Sequence, residues 1–81
     1  MTGYTYGQLD ATMRSFGFVV RDLDADTRVY VYPGSEAMIA IPIFPDTQEA
    51  YPHHLTGARM VLDLYGIAKP DEFISRLQKA A

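Results

Sequence analysis

The chain has 81 residues, 48% of them hydrophobic, which is enough apolar material for one small domain over residues 1–81. Its 10 acidic and 7 basic side chains give a net charge of −3, which disfavours a protein whose main task is to grip phosphate backbones. The absence of cysteine excludes disulfides, zinc–thiolate sites and thiol nucleophiles. With no signal-peptide pattern and no apolar run near the roughly 20 residues that span a bilayer, we expect a soluble, cytoplasmic protein without membrane contact.

The first predicted element is a helix over about residues 6–16. Thr5 and Gln8 have the spacing of a capping box, in which each side chain accepts from the other residue's backbone N–H. Gly17 then supplies the left-handed residue that commonly ends a helix. The amphipathic stripe between them consists of Leu9, Met13 and Phe16.

Three strands, rich in β-branched and aromatic residues, are predicted at 18–23, 27–32 and 37–43. The segment 33–35 reads Pro-Gly-Ser, a turn signal in which Pro fixes φ and Gly permits a positive φ. Because Pro42 has no N–H to donate, the third strand must end there or lie at a sheet edge. The short connections predict an antiparallel meander.

Two further helices are predicted, one over about residues 54–65, stopped by Gly66, and one beginning at Pro70. The residues predicted to face inward are Leu55, Ala58, Leu62 and Tyr65 in the first of these, and Phe73, Ile74 and Leu77 in the second. The order is α-β-β-β-α-α. A three-stranded antiparallel sheet with its helices on one face gives a two-layer α+β domain.

An acidic segment joins the first two strands, in which Asp22, Asp24 and Asp26 alternate. A calcium loop would place Gly directly after the third Asp and a Glu six residues later. Here Thr27 and Arg28 follow, and the flanking elements are strands rather than helices. The spacing therefore favours a solvated hairpin turn, because Asp side chains hydrogen-bond nearby backbone amides, and we predict neither a metal site nor a cofactor.

Arg28, Tyr30 and Tyr32 share one face of the second strand. Aromatic side chains alternating with a cation on a sheet can stack bases or engage a partner. Val29 and Val31 lie on the opposite face, and the apolar-in alternation of half-buried sheets favours the valines inward and the tyrosines outward.

His53 and His54 are the only histidines. Neighbours in sequence do not share a helix face, so they cannot chelate one metal as an i, i+4 pair would. One of them could act as a general base near neutral pH, with Asp46 or Glu49 as its partner. The alternative interpretation, which we favour, is that both are surface residues at the start of the second helix.

Several short stretches carry a family resemblance. They are Gly17-Phe18-Val19, Tyr30, Pro33, Ile41-Pro42 and Tyr65-Gly66-Ile67. In this order and spacing they make the chain, from about residue 6 to 74, resemble the HicA family of toxins. The resemblance implies an α-β-β-β-α scaffold of the double-stranded-RNA-binding type, ribonuclease activity on mRNA, and a HicB antitoxin as partner.

The resemblance also shows where this chain departs from the family. The family places Gly-Ser-His at the start of the second strand, and that His is taken as catalytic. Here residues 25–27 are Ala-Asp-Thr, and Thr27 has no proton to exchange near pH 7. Phe44 stands where the family often has another His, and Thr56-Gly57 reverses the family's Gly-Thr pair.

Two functions follow as hypotheses. The first is a non-catalytic binding module on a HicA-like scaffold, which engages a protein such as a HicB-like antitoxin or a second copy of itself; RNA is disfavoured by the net charge. Its predicted binding residues are Arg28, Tyr30, Tyr32, His53, His54 and Arg59. The alternative is a divergent ribonuclease, in which His53 or His54 replaces the missing His while Arg28 and Arg59 hold the phosphate.

Overall fold

The computed structural model describes residues 3–80. Its elements are α1 (Tyr6–Ser15), β1 (Val19–Asp22), β2 (Thr27–Val31), β3 (Met38–Pro42), α2 (Pro52–Leu64) and α3 (Pro70–Lys79). Both strand pairs are antiparallel, and β2 lies between β1 and β3. The predicted α+β fold and the order α-β-β-β-α-α are confirmed.

The start of α1 follows from its capping box. The Thr5 hydroxyl accepts from the Gln8 N–H at 3.1 Å, and the side-chain oxygen Oε1 of Gln8 accepts from the Thr5 N–H at 2.9 Å. Two of the unpaired N–H groups at this helix end are thereby satisfied. The helix ends before Gly17, whose φ of +101° is accessible to Gly without strain.

The acidic segment forms the hairpin turn that the sequence predicts. Asp24 accepts a 2.8 Å hydrogen bond from the Asp26 N–H, and the Leu23 N–H donates to the Thr27 carbonyl at 2.9 Å. Asp22 instead pairs with Arg28 across the strands. Within residues 3–80, no group of three or more His, Cys, Asp or Glu side chains converges as a cation site would require.

The orientation of β2 differs from the prediction. Tyr30 is 4% exposed and belongs to the core, and it shares its sheet face with Val20 and Ile39 in the cross-strand register. The helices cover this face, because the Tyr30 hydroxyl reaches Asp10 of α1 and Gly57 of α2 lies over Ile39. The prediction of outward tyrosines was wrong, since a phenol ring can be buried when its hydroxyl finds a partner.

The remaining core lies between the three helices and this sheet face. The largest fully buried side chains are Leu9, Thr12, Met13, Leu55, Leu62, Phe73 and Leu77. Tyr65, predicted to face inward, is exposed because α2 ends at Leu64 and Tyr65 only caps it. Each helix in the described part of the chain is too short or too polar to cross a membrane.

Candidate functional site

Arg28 lies in a network of charged and polar side chains that we call the Arg28 cluster, consisting of Asp10, Arg14, Asp22, Arg28 and Tyr30. The Arg28 guanidinium donates to Asp22 at 3.0 Å and lies 3.7 Å from Asp10. Asp10 also accepts from Arg14 at 2.9 Å and from the Tyr30 hydroxyl at 2.6 Å. The two arginines and two aspartates therefore neutralise one another.

The protonation states in the Arg28 cluster are fixed by these contacts. The hydrogen bond to Asp22 raises the pKa of Arg28, which stays a cation. Burial, and then the hydrogen bond to Asp10, raises the pKa of Tyr30, so its phenol remains a donor at any physiological pH. Neither group is poised to exchange a proton near neutral pH.

A crevice of about 20 Å³ lies beside Arg28, lined by Tyr6 and Phe44 among others. This volume suits about one water molecule and no nucleotide. Asp10 and Asp46 also line the crevice, so two carboxylates lie in its walls beside the one cationic residue of its lining, Arg28. Neither histidine lines it within the part of the chain that the structure describes. The crevice therefore does not bring Arg28 together with His53 or His54.

Tyr32 was predicted to share an open surface with Arg28 and Tyr30. It is half-buried instead, and its ring packs against Phe18 with a centroid separation of 5.1 Å. The same ring approaches Gly17 at the end of α1. Tyr32 therefore fixes the junction between α1 and the sheet.

His54 has a structural partner in Tyr6. The Tyr6 hydroxyl lies 2.6 Å from Nδ1 of His54, and it also accepts from the Tyr51 N–H at 3.2 Å. Because the hydroxyl has one proton, every group is satisfied when that proton goes to Nδ1, which leaves the imidazole neutral with its own hydrogen on Nε2. Burial, and then the neighbouring His53, lowers the pKa of His54 and favours this neutral form.

The rings around His54 close the start of α2. Tyr6 stacks on Phe44 at 4.5 Å, and the exposed His53 stacks on Tyr51 at 5.8 Å. The ring of His54 lies beside the rings of Tyr6, Phe44 and Tyr51. The group joins α1, the loop before α2 and α2 itself.

Arg59, the sixth predicted binding residue, lies apart from these sets. It is half-buried on α2, its Nε is buried without a hydrogen-bond partner, and none of the ion pairs among residues 3–80 includes it. At about 100° per residue, it lies on a different side of α2 from His53 and His54. The six predicted residues thus occur as the Arg28–Tyr30 pair, the His53–His54 pair, and two isolated side chains.

A different surface presents apolar side chains to solvent. Leu64 is 80% exposed and Met60 is 59% exposed, although both are large and hydrophobic. With Gly57 and Val61 they line an open groove of about 470 Å³ along the outer side of α2, and we call these four residues the α2 seam. The inward side of the same helix is already filled by the buried residues Leu55, Ala58 and Leu62.

A second apolar surface lies on the helix-free face of the sheet. Val19, Val31 and Met38 form a row in register across the three strands, and the outer two are exposed.

The free edge of β3 lacks one of the backbone N–H groups with which an added strand would pair. The Ile43 N–H donates to the Asp26 carbonyl and therefore points toward β2. Because backbone nitrogens alternate in direction along an antiparallel strand, the nitrogen of Pro42 points away from β2, toward the free edge. A proline nitrogen carries no hydrogen, so it cannot donate to an added strand.

The sequence interpretation missed the α2 seam, although a signal for it was present. Once Leu55, Ala58 and Leu62 are assigned to the core, the helical period forbids Met60 and Leu64 from facing the same way. Two large apolar residues on the outer side of a helix need a further explanation. The predicted binding residues were instead chosen among aromatic and charged side chains, because these types most often form binding or catalytic sites.

Comparison with known proteins finds no match: no family model, no curated protein and no solved structure is similar to this chain. The resemblance to the HicA family therefore stays a prediction made from short stretches of sequence.

Proposed function

We propose that this protein is a non-catalytic binding module on a HicA-like scaffold and that it engages a protein partner through the α2 seam. The observation that carries the proposal is the exposure of Leu64 and Met60 beside Gly57 and Val61. Fully burying one such leucine or methionine contributes about 1.5–3 kcal/mol before the costs of association are subtracted, which makes the pair a suitable interface centre.

The chemistry of the surface favours a protein over RNA. The chain carries a net charge of −3, and Arg28, one of the two arginines predicted to hold a phosphate, is paired with Asp22. The α2 seam itself is apolar, with Asp63 as the charged residue of its groove. Nucleic-acid affinity depends on clustered, unpaired cations, and none of these features supplies them.

The alternative, a divergent ribonuclease, has one supporting observation. The pKa of His54 is lowered by burial, so its neutral imidazole could accept a proton at neutral pH. Against it, Nδ1 is occupied by Tyr6, and the Arg28 that would hold the phosphate is held by Asp22 and Asp10. The binding module is therefore the better supported function.

The binding proposal is tested with two matched variants that each replace one exposed leucine. Leu64→Gln alters the α2 seam, while Leu23→Gln alters the β1–β2 turn, where Leu23 is 72% exposed. Immobilised wild type and Leu23→Gln should retain the same protein from a lysate of source cells, and Leu64→Gln should lose it. Retention of the same proteins by all three forms would contradict the proposal.

The ribonuclease alternative is tested by incubating the purified chain with mixed RNA. We expect intact RNA with the wild type and with the variant His53→Ala/His54→Ala. Cleavage by the wild type, together with its loss in the double variant, would overturn the non-catalytic function.

A further inference from the structure

The spacing of the outward residues on α2 identifies the kind of surface that fits it. His53, Gly57, Met60 and Leu64 are separated by 4, 3 and 4 residues. This is the alternation of the a and d positions in a heptad, which forms a narrow stripe along one side of a helix. Such a stripe packs against another helix, whose side chains enter the holes between its residues.

Gly57 leaves one position of this stripe without a side chain, and it lines the groove of the α2 seam. A glycine inside a helix costs about 1 kcal/mol relative to alanine, so its presence needs a reason. A Cβ built on Gly57 would meet Ile39 at 3.4 Å, an ordinary contact, and no closer atom. The space beside Ile39 therefore accepts an alanine, so packing within the protein does not explain the glycine.

The charge beside the stripe distinguishes between possible occupants. Asp63 is exposed next to Leu64, and no ion pair among residues 3–80 includes it. The other charged residue of α2, Arg59, is half-buried and lies about 140° around the helix from Leu64. A second copy would thus bring the same acidic flank, whereas a helix with Lys or Arg beside its apolar stripe would pair with Asp63.

We propose that the α2 seam binds one amphipathic α-helix of another protein, with apolar residues at heptad spacing and a Lys or Arg placed to pair with Asp63. This inference rests on the proposed function and specifies its partner. α2 has 13 residues and is about 20 Å long, so it matches about two heptads of the bound helix.

The experiment is a selection with displayed peptides of defined shape. The first library holds helix-forming peptides three heptads long, with apolar residues fixed at a and d and with Lys, Glu or Gln varied at the flanking positions. Selection uses the full chain as bait, and we expect Lys to be enriched at a flanking position. The affinity of the selected peptide, measured by fluorescence anisotropy, should fall at least about tenfold for Leu64→Gln and stay unchanged for Leu23→Gln.

The charge pairing has its own readout. Asp63→Asn should weaken the lysine-bearing peptide and should leave a peptide with Gln at that position unaffected. Equal affinity of both peptides for wild type and Asp63→Asn would overturn the assignment of a basic flank.

A second library separates this inference from the proposed function. It holds peptides of equal length with regularly spaced prolines, which prevent helix formation. A binder from this library that depends on Leu64 would overturn the helical partner while leaving a protein-binding seam. If neither library yields a peptide whose binding depends on Leu64, the protein-binding function of the α2 seam and its helical partner are both overturned. Sedimentation of wild type as a dimer and of Leu64→Gln as a monomer would show that the occupant is a second copy, which also overturns the inference.

Discussion

In the Arg28 cluster, charged and polar side chains bind one another, whereas in the α2 seam apolar side chains are left in water. Asp10 alone receives hydrogen bonds from Arg14 and Tyr30 and lies near Arg28. Leu64 and Met60 of the seam are mostly exposed. A charged residue whose bonding groups are all occupied is not available for chemistry or binding, whereas exposed apolar area can mark a binding site.

The largest expected difference between the two regions is in stability. Tyr30→Ala removes a buried ring and its hydrogen bond to Asp10, and should lower the free energy of unfolding by about 3–5 kcal/mol. Leu64→Ala should change it by no more than about 0.5 kcal/mol, because the side chain is exposed. Urea unfolding measures both values. Similar losses in the two variants would remove the distinction between the regions.

Asp10 of the Arg28 cluster and Asp63 beside the α2 seam should differ in the same way. Asp10→Ala leaves the Tyr30 hydroxyl and the Arg14 Nε–H without an acceptor and removes the negative charge near Arg28, and should cost about 1–3 kcal/mol of stability. Asp63→Ala removes an exposed acid without an ion pair in the described part of the chain, and should stay within about 0.5 kcal/mol of wild type. Denaturant midpoints at constant m-value give the answer, and a neutral Asp10→Ala would contradict the role of the cluster.

Substitution of two helical glycines by alanine should change the stability of the protein in opposite directions. Gly57→Ala should stabilise the free protein by about 0.5–1 kcal/mol, because it improves helix propensity and the new methyl group makes an ordinary contact. Gly7→Ala should destabilise it, since a Cβ there would lie 3.0 Å from the Asp46 carbonyl oxygen and 3.1 Å from the Asp46 Cβ. Thermal melting distinguishes the signs. Stabilisation by both changes would mean that the loop at Asp46 does not press against α1.

The smallest effect is the pH dependence contributed by His54. Its pKa is lowered in the folded state by burial and by His53, so the unfolded chain binds the proton more readily. Stability is therefore unaffected well above the ordinary value of 6.5, falls as the pH drops below it, and levels off below the folded-state pKa. Unfolding between pH 8 and pH 5 should show this loss, and His54→Asn should reduce it more than His53→Asn does. An equal acid sensitivity in His54→Asn would exclude His54 as its source.

The local elements of the fold could be predicted from sequence because their signals are local. The Thr5–Gln8 capping box, Gly17 and the turn at 33–35 each act within a few residues, and the helix and strand ends follow them closely. The exposed acidic turn was also foreseeable, since the residues after Asp26 do not fit a calcium loop.

The orientation of β2 depended on contacts that a local pattern does not contain. Both faces of this central strand carry large residues, so alternation alone could not choose between them. The choice is made by Asp10, which lies 20 residues from Tyr30 and supplies an acceptor for its hydroxyl on the helix side. The pairing of His54 with Tyr6, 48 residues away, is of the same kind. Because Tyr30 and His54 each pair with a residue of α1, they contribute to the packing of the protein and do not form one common surface with the other predicted binding residues.

The missing hydrogen at Pro42 also governs how the sheet could grow. Addition of one molecule after another requires the β3 edge of each to join the β1 edge of the next, and that junction lacks a donor at Pro42. Pairing of two β1 edges remains possible, but it closes on itself as a two-fold pair and leaves only β3 edges outside. Every contact that would extend the sheet further therefore involves a β3 edge that is one hydrogen-bond donor short.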